Sequence, residues 1–509
     1  MMKRAHLTLI TVSFCLFWVF CCVQSYSQGL FTPALPSGLK AYAPDRYFQV
    51  VPRIVPADKE TTIQIISRFD AFPKPLHTYR MTYTPVGRYA TQTGWTKAQA
   101  EEIVPQNNIF TIKKYFEAEQ EHIFRLEEIT PDNKVKEIGN FHVYSLKPDL
   151  FALRPYKGDF HMHSYRSDGK ESPGYVVGAC RRVGYDFMGL SDHRNYSGSL
   201  EAIKQFEGLP IDLRIYPAEE VHPPDNPVHF VSFGAKEGIT ELYRTDDKTY
   251  REEVQNIMNT LGDMPYGVDK FQYASCLWTF QKIRERGGLG IFAHPYWRPG
   301  NTNYIANALV DYLYETTIFD AVELISGFSW DELQEVDVNN LQLAKYIEAK
   351  SKGKKVPIVG ISDSHSCENH DMFGRYYTLC FSPSLEFNDL IHAIKEENAV
   401  AVETPGGQLP RPYGPYRLVA YTHFLLRYVL PLHDEMCFEE GRLMIEYAGG
   451  NKDVIENLKL LKGQVKKYYD IIFYIFINLR HQHYYYLLLL ILSLLLLFYA
   501  LLLLFLLYH

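Results

Sequence analysis

Between residues 158 and 365, short apolar runs alternate with helical patterns, and this alternation constrains the fold more than any other feature of the chain. The helical patterns include residues 172–184 and 329–351. Repeated strand and helix predict a parallel sheet, and seven strands favour closure into a barrel. The seven predicted strands are GDFHMH (158–163), YDFMGLSDH (185–193), LRIYPAEE (213–220), VHFVSFGA (228–235), GLGIFAHP (288–295), FDAVELIS (319–326) and KVPIVGISDSH (355–365).

The regions on either side of these strands have different patterns. Residues 30–150 alternate apolar and polar side chains in short runs separated by turn residues, which predicts a small antiparallel β-sandwich. No catalytic cluster is evident there, so we interpret it as a packing or binding module. We assign the barrel to residues 155–400 and a mixed, partly helical extension to residues 401–465. The expected fold class is therefore α/β, with a barrel preceded by a β domain.

The N-terminal segment 1–27 has the form of a secretion signal. Lys3 and Arg4 precede an apolar run, and Ser25 and Ser27 are small residues suited to a cleavage site before Gln28. An uncleaved anchor helix is the alternative, because the apolar run is long. We therefore expect an extracytoplasmic protein, either periplasmic or at the cell surface. The five cysteines outside this segment show no CxxC pair, which argues against a disulfide framework.

The C-terminal segment 485–507 is uncharged and about two-thirds leucine, and it is long enough to span a bilayer. Two interpretations stay open: a membrane anchor, or a frameshifted or mis-called end of the chain. The second is suggested by the abrupt change in composition and by flanking positive residues on the side that secretion would place outside. The net charge of −7 gives no overall attraction for nucleic acid, and the oligomeric state is open.

The stretch GDFHMHSYRSDG, residues 158–169, contains a His-x-His pair. Residues i and i+2 of a strand point to the same face, so His161 and His163 would present two nitrogens together. Asp168 lies in the following loop and could return an oxygen to the same area. Taken alone, this pattern is a weak indication of a metal site.

Most of the other predicted strands also carry histidine or acid at an end, usually the carboxyl end, where a parallel barrel collects its active site. Such groups would repel one another or stay unsatisfied without a cation. Histidine, aspartate and glutamate without cysteine suit Zn²⁺, Mn²⁺ or Fe²⁺. The sequence therefore predicts a site for two or three divalent metals. The residues concerned are Asp192, His193, Glu219, Glu220, His229, His294, Asp363 and His365.

Together, the motifs GDFHMHSYRSDG, LSDH, AEE, FAHP and SDSH resemble the PHP (polymerase and histidinol phosphatase) superfamily over residues 155–400. This resemblance implies a distorted seven-stranded β/α barrel with a cluster of two or three metals. A secretion signal and a β domain ahead of the barrel look like the CehA/McbA-type branch. The third motif departs from the family pattern, since Ala218 stands where a glycine often precedes the paired acids.

By motif, the resemblance implies three metal positions. The first would be held by His161, His163, Glu220 and Asp363, the second by Glu220, His229 and His294, and the third by Asp168, His193 and His365. Glu219 is the alternative to Glu220 as the bridging carboxylate. His222, in a proline-rich loop, is interpreted as a surface residue.

The chemistry that follows is metal-assisted hydrolysis, in which bound metals lower the pKa of a water to about 7 and stabilise developing charge. Asp192 or Asp168 could orient ligands or accept a proton, and Arg194 or Arg298 could bind a substrate phosphate or carboxylate. We predict a phosphoesterase acting on a small molecule. A hydrolase of carbamates, esters or amides is the first alternative, and a non-catalytic binding protein is the second.

Overall fold

The computed structural model describes residues 43–69, 72–87, 99–327, 332–368, 372–404 and 408–473. The predicted signal segment 1–27 and the leucine-rich segment 485–507 lie outside these residues. Within the described residues, no helix is both long and apolar enough to cross a membrane. None of the five cysteines found there forms a disulfide with another of them.

The N-terminal region forms two β-sheets from the alternating runs. In the strands Lys59–Ser67 and Gln120–Ile129, alternate side chains are buried. Ile63 and Ile65 of the first strand and Phe124 and Leu126 of the second belong to one apolar core that both sheets share. The strand orders are β1-β3-β6 and β2-β8-β7-β4-β5. The strands are β1 (Phe48–Val51), β2 (Ile54–Pro56), β3 (Lys59–Ser67), β4 (Thr78–Pro85), β5 (Glu101–Glu102), β6 (Ile109–Phe116), β7 (Gln120–Ile129) and β8 (Val135–Leu146), with helix α1 (Ala43–Tyr47) before them and α2 (Pro148–Phe151) after them.

A ten-stranded sheet follows, with strand order β15-β14-β13-β12-β11-β10-β9-β16-β17-β18. Each of the seven predicted strands overlaps one of its first seven members along the chain. The strands are β9 (Arg154–Asp159), β10 (Phe187–Leu190), β11 (Arg214–Val221), β12 (Phe230–Phe233), β13 (Leu289–Phe292), β14 (Ala321–Ser326), β15 (Ile358–Ile361), β16 (Tyr376–Ser382), β17 (Ala399–Glu403) and β18 (Arg411–Tyr413).

Helices connect most of these strands and cover the outside of the sheet. The predicted helical patterns 172–184 and 329–351 correspond to α3 and α9. The helices are α3 (Pro173–Arg182), α4 (Tyr196–Phe206), α5 (Thr240–Thr245), α6 (Asp247–Thr260), α7 (Lys270–Glu285), α8 (Asn307–Thr316), α9 (Glu332–Ser351) and α10 (Phe387–Lys395), with a 3₁₀ turn at Pro299–Asn301.

The expectation of a parallel sheet is wrong at one strand. Strand β12 runs antiparallel to both of its neighbours, β11 and β13, whereas β9–β10, β10–β11, β13–β14 and β14–β15 are parallel pairs. The reason is the connection from β11 to β12, which spans only residues 222–229. A parallel crossover needs about a dozen residues or more, so this short link can only turn the chain back.

The sheet is strongly curled, which brings its early and late strands together. Just beyond β9 and β15, the amide of Asp363 donates to the carbonyl of His161 over 3.0 Å, and the amide of His163 donates to the carbonyl of Ser364 over 2.8 Å. Gly360 permits a close approach on β15, because a Cβ there would lie 2.6 Å from the carbonyl oxygen of Tyr377. The chain is thus a mixed α/β protein with a large curled sheet.

Four helices from the C-terminal region pack against the sheet and α3. Gly441 lies at the contact of α3 with the helix Leu430–Ala448. A Cβ on Gly441 would lie 2.1 Å from the backbone nitrogen of Arg182, so only glycine allows this approach. The predicted extension 401–465 is mainly helical in the structure. The helices are α11 (Tyr416–Tyr428), α12 (Leu430–Ala448), α13 (Ile455–Leu461) and α14 (Gln464–Ile472), with a 3₁₀ turn at Lys452–Val454.

A group of buried ionisable side chains joins α12 to the sheet and α3, and we call it the buried ion network. Lys157 Nζ lies 3.0 Å from Asp434 Oδ2. His433 Nε2 lies 2.9 Å from Asp186 Oδ1, and Arg181 Nε lies 2.7 Å from Glu440 Oε2. Its members are Lys157, Arg181, Asp186, His433, Asp434 and Glu440, all of them buried.

Candidate metal centre

The nine residues expected to hold metals lie at one edge of the curled sheet. Those that follow parallel strands lie there because the carboxyl ends of such strands meet at one edge. His229 reaches the same edge from the opposite direction, because it precedes the antiparallel strand β12, whose first residue pairs with Val221 and Phe292. With His222 they form the histidine–carboxylate cluster: His161, His163, Asp168, His193, Glu220, His222, His229, His294, Asp363 and His365.

Glu220 is the centre of this cluster. Its carboxylate is fully buried, and imidazole nitrogens approach both of its oxygens. The nitrogens lie 2.5–3.3 Å away. They are His161 Nε2 at 3.3 Å and His193 Nδ1 at 2.5 Å from Oε2, and His222 Nε2 at 3.3 Å, His229 Nδ1 at 2.9 Å and His294 Nε2 at 3.3 Å from Oε1.

Asp363 and Asp168 extend the cluster on two sides. Asp363 Oδ1 lies 3.3 Å from His161 Nε2 and 3.1 Å from His163 Nε2. Asp168 Oδ1 lies 3.4 Å from His193 Nε2 and 3.4 Å from His365 Nε2. The His163 ring lies between those of His193 and His365, with centroids 4.2 Å and 4.3 Å away. The structure therefore brings all nine predicted residues together.

Several buried polar atoms of the cluster lie close to other members but form no hydrogen bond of acceptable geometry among the described residues. They are His161 Nε2, His163 Nδ1, Glu220 Oε2 and His229 Nδ1. Leaving such atoms unsatisfied in a buried site is costly unless a ligand pairs with them. Four sets of donors that lie within 4.8 Å of one another could each hold a cation: His163, Asp168, His193 and His365; His161, His163 and Asp363; His161, Glu220 and His294; and His193, Glu220 and His222. The donor set of imidazoles and carboxylates suits a divalent transition metal.

The electrostatics of the cluster separate neutral from charged side chains. Burial lowers the pKa of His163 to about 3 and that of His229 to about 3, so both imidazoles are neutral, the form that binds metal. Burial alone would raise the pKa of Glu220, but the surrounding imidazoles, with His161 the strongest, hold it well below its usual range. Glu220 is therefore ionised and available as a ligand.

Glu219, the alternative to Glu220, points away from the cluster. Its Oε1 accepts hydrogen bonds from the backbone amides of Ile239 and Thr240 at the start of α5. Adjacent residues of a strand face opposite sides of a sheet, which explains why only one of the paired acids reaches the histidines.

Glu323 belongs to the site although the sequence reasoning missed it. It is fully buried on β14, and its Oε1 lies 2.8 Å from His161 Nδ1. The amide of His294 donates to its other oxygen over 2.7 Å. With Nδ1 engaged, His161 is oriented so that Nε2 faces Glu220 and Asp363. An acid in the middle of the apolar run AVELI was the available signal.

His222 also lies in the cluster, so its interpretation as a surface residue was wrong. Its side chain is 11% exposed, and its ring stacks on that of His229 with centroids 3.7 Å apart. The signal was its position, two residues after Glu220 and seven before His229.

The three residues expected to act without binding metal have different surroundings. Asp192 accepts hydrogen bonds from the Ser164 amide, the Ser164 hydroxyl and the Ser167 hydroxyl, so it holds the loop that carries Asp168. Arg298 donates to Asn303 over 2.8 Å and lies 3.5 Å from Asp337.

Arg194 lies beside the cluster at an open cavity. This cavity has a volume of about 560 Å³, and its wall includes Arg194, His222, His229, Tyr243 and Tyr304. The Arg194 side chain is exposed, and its Nη2 lies 3.4 Å from His222 Nδ1. Arg194 is thus the only one of the two predicted arginines that lines this cavity.

Comparison with known proteins finds sequence relatives over parts of the chain, and no protein-family model matches. The DNA polymerase/3'-5' exonuclease PolX of Bacillus subtilis is 38% identical over 86 residues, 16% of this chain, and the match covers 15% of the polymerase. An uncharacterized protein of Methanocaldococcus jannaschii is 23% identical over 203 residues, 38% of this chain and 92% of that protein.

Solved structures with partial similarity have low sequence identity. A two-domain protein of Bacteroides vulgatus, described as containing a predicted PHP-like metal-dependent phosphoesterase, has a TM-score of 0.33 and 18% identity, covering 49% of this chain and 65% of that one. An amidohydrolase from Chromobacterium violaceum has a TM-score of 0.26 and 15% identity, covering 42% of this chain and 89% of that one.

Proposed function

We propose that this protein is a metal-dependent hydrolase of the PHP type that acts on phosphate esters. The observation that carries the proposal is the buried Glu220 carboxylate with five imidazole nitrogens 2.5–3.3 Å from its oxygens. Burying so many histidines and acids together is costly unless cations compensate them. The local similarity to a 3'-5' exonuclease, an enzyme that hydrolyses phosphodiesters, is in line with this proposal.

The ligand assignment that we propose follows the motifs. His161, His163, Glu220 and Asp363 hold one metal, Glu220, His229 and His294 hold a second, and Asp168, His193 and His365 hold a third. Bound divalent metals would supply an activated water and a positive charge that stabilises the developing oxyanion. Glu323 orients His161, and Asp192 positions the loop of Asp168, so neither needs to touch the substrate.

Arg194 is the residue that we propose binds the substrate anion. Its guanidinium is exposed at the cavity next to His229, whereas Arg298 is held by Asn303 and Asp337. Guanidinium groups bind phosphate oxygens through charge-assisted hydrogen bonds. Tyr243 and Tyr304 in the cavity wall would contact the rest of a small substrate.

We propose in addition that strands β9 to β15 form the seven-stranded barrel expected from the resemblance, and that the N-terminal sheets form a β-sandwich. The hydrogen bonds between residues 161–163 and 363–364 support the barrel, because they link the continuations of its first and last strands. We also propose export across the membrane, attachment through the segment 485–507 and kinship with the CehA/McbA branch. These three proposals depend on sequence patterns alone.

The decisive experiment combines metal analysis with a substrate panel. Full-length protein reconstituted with Zn²⁺ or Mn²⁺ should retain at least one metal per chain and should hydrolyse an aryl phosphate. The double variant His161→Ala/His163→Ala should lose both properties. Less than one metal equivalent would overturn the site. Hydrolysis of aryl esters or carbamates alone would select that reaction instead, and bound metal without activity on any substrate would favour a binding protein.

The role of Arg194 has its own test. The variant Arg194→Met should raise KM for the phosphate ester by about tenfold to a hundredfold, because it removes a charge-assisted hydrogen bond of about 1.5–3 kcal/mol. The matched variant Arg298→Met should leave KM near the wild-type value. Equal KM changes in the two variants would remove the basis for assigning the anion to Arg194.

A further inference from the structure

We propose that His222 is a further metal ligand of the site, binding through Nε2 a divalent cation that also contacts Glu220. This inference rests on the proposed function, since it assumes that the histidine–carboxylate cluster holds metal. None of the motifs that suggested the nine ligands includes His222. It would add an imidazole to the side of Glu220 that faces the cavity.

The first support is the position of the donor atoms. His222 Nε2 lies 3.3 Å from Glu220 Oε1 and 3.2 Å from His193 Nδ1. Two ligands bound at 2.0–2.1 Å to a tetrahedral metal are separated by about 3.3 Å, the edge of the tetrahedron. His193, Glu220 and His222 also form a set whose donor atoms all lie within 4.8 Å of one another.

The second support is the turn that holds His222 in place. Residues 223–227 contain three prolines, which restrict the backbone. Asn226 donates to Ser275 Oγ over 2.8 Å and accepts from the amide of Val228 over 2.9 Å. The hydroxyl of Tyr250 donates to the carbonyl of Pro224 over 3.2 Å. The turn is therefore fixed to α6 and α7, as a ligand-bearing loop should be.

Ligation would also change what Arg194 can contact. In the structure, Arg194 Nη2 lies 3.4 Å from His222 Nδ1 and can donate to it only if Nδ1 carries no proton. A neutral imidazole that binds metal through Nε2 carries its proton on Nδ1. An N–H of Arg194 cannot form a hydrogen bond with a protonated Nδ1 of His222, because both groups are donors. Metal at His222 would therefore free the exposed Arg194 guanidinium to face the cavity.

The test measures Zn²⁺ affinity rather than activity. Full-length wild type, His222→Ala and His222→Asn are titrated with Zn²⁺ in competition with a chromophoric chelator. His423→Ala, which removes an exposed histidine on α11, is the matched control. We expect both His222 variants to bind one Zn²⁺ equivalent about tenfold or more weakly, and the control to match wild type. Thermal unfolding of the chelated proteins verifies that each variant is folded.

Wild-type affinity in a folded His222 variant, whether alanine or asparagine, would overturn the inference. If only the alanine variant is misfolded, the asparagine variant decides, because its amide is a much poorer metal ligand than imidazole. Failure of this inference is separate from failure of the proposed function. Wild type that binds no Zn²⁺ contradicts the metal site as a whole, whereas Zn²⁺ bound equally well by wild type and variants contradicts only the role of His222.

Discussion

The histidine–carboxylate cluster and the buried ion network are both built from buried ionisable side chains, but their charges are balanced differently. In the network, three carboxylates lie next to Lys157, Arg181 and His433. The four candidate metal sets within the cluster contain only imidazoles and carboxylates. One region therefore contains a lysine and an arginine that neutralise its carboxylates, whereas the other contains only groups that can act as metal ligands.

This difference indicates what each region does. Asp186, His433 and Cys437 also lie within 4.8 Å of one another and could in principle hold a metal. Arg181 Nη1, however, lies 3.2 Å from the same Asp186 oxygen that His433 contacts, so positive charge is already present. We interpret the network as a structural connection between α12 and the sheet, and the cluster as a binding site.

The largest effect is expected when the central carboxylate of the cluster is neutralised. Glu220→Gln keeps the side-chain shape but removes the charge that would bridge two metals. Activity on an aryl phosphate should fall by about a thousandfold or more, because metals contribute several kcal/mol to the stabilisation of the transition state. Metal content should fall in parallel, as measured by elemental analysis of the purified variant.

The same variant tests the comparison through stability. In metal-free protein, Glu220→Gln should lower the free energy of unfolding, because the imidazoles that hold the pKa of Glu220 well below its usual range stabilise the ionised carboxylate. Added metal should then raise the stability of wild type but not that of the variant. An equal increment in both would show that Glu220 does not bind metal and would break the distinction between the two regions.

The opposite result is expected in the network. Asp434→Ala should lower the free energy of unfolding by about 3–5 kcal/mol, because it leaves Lys157 buried without its carboxylate partner. Activity per folded molecule should match wild type. Urea unfolding followed by circular dichroism gives the stability. Glu456→Ala removes an exposed ion pair with Lys459 and is the control, with a change of about 0–1 kcal/mol. A similarly small change in Asp434→Ala would show that the buried pair contributes no more than a surface one.

Metal removal should act on the cluster alone. With free metal at about a hundred times its dissociation constant, binding to the native state should add about 2.7 kcal/mol to the free energy of unfolding. Chelation should remove this increment from wild type and from Asp434→Ala by the same amount, because the two regions share no ionisable residue. Calorimetry with and without a chelator measures it. A chelation effect that disappears in Asp434→Ala would indicate that the regions are coupled.

The sequence predicted the site better than it predicted the surroundings of that site. Strand-end motifs such as HMH and SDSH identified nine residues that the structure brings together. Eight of them lie at or beyond the carboxyl ends of strands that meet at one edge, and His229 precedes the antiparallel strand β12. The antiparallel direction of β12 was not predicted, although its connection to β11, residues 222–229, is too short for a parallel crossover. His222 was missed because it lies in a proline-rich loop, and Glu323 was missed because it lies within an otherwise apolar part of its strand.

Pairings across long distances along the chain could not be predicted. Lys157 and Asp434 are 277 residues apart, and neither stands in a local pattern that indicates the other. Arg194 and Arg298 were equivalent candidates from sequence, because Arg194 directly follows His193 and Arg298 follows the HPYW stretch that begins at His294. Only the three-dimensional structure shows that Asn303 and Asp337 engage one of them while the other borders the cavity.

The last and smallest prediction concerns pH and the charge of His433 in the network. Burial alone would lower the pKa of His433, but Asp186 and the other neighbouring groups raise it well above its usual value of 6.5. The native state therefore keeps a proton that the unfolded state loses above pH 6.5. The contribution of His433 to stability is complete below that pH and is lost as pH rises toward the raised pKa. Above pH 6.5, this group alone should lower the free energy of unfolding by up to about 1.4 kcal/mol per pH unit. Urea unfolding at several pH values between neutral and mildly alkaline should show this slope in wild type and in His423→Gln, an exposed control, but not in His433→Gln. Equal slopes of unfolding free energy against pH in wild type and His433→Gln would mean that His433 is neutral in the native protein. Lys157 and Arg181 alone would then balance the three carboxylates of the network.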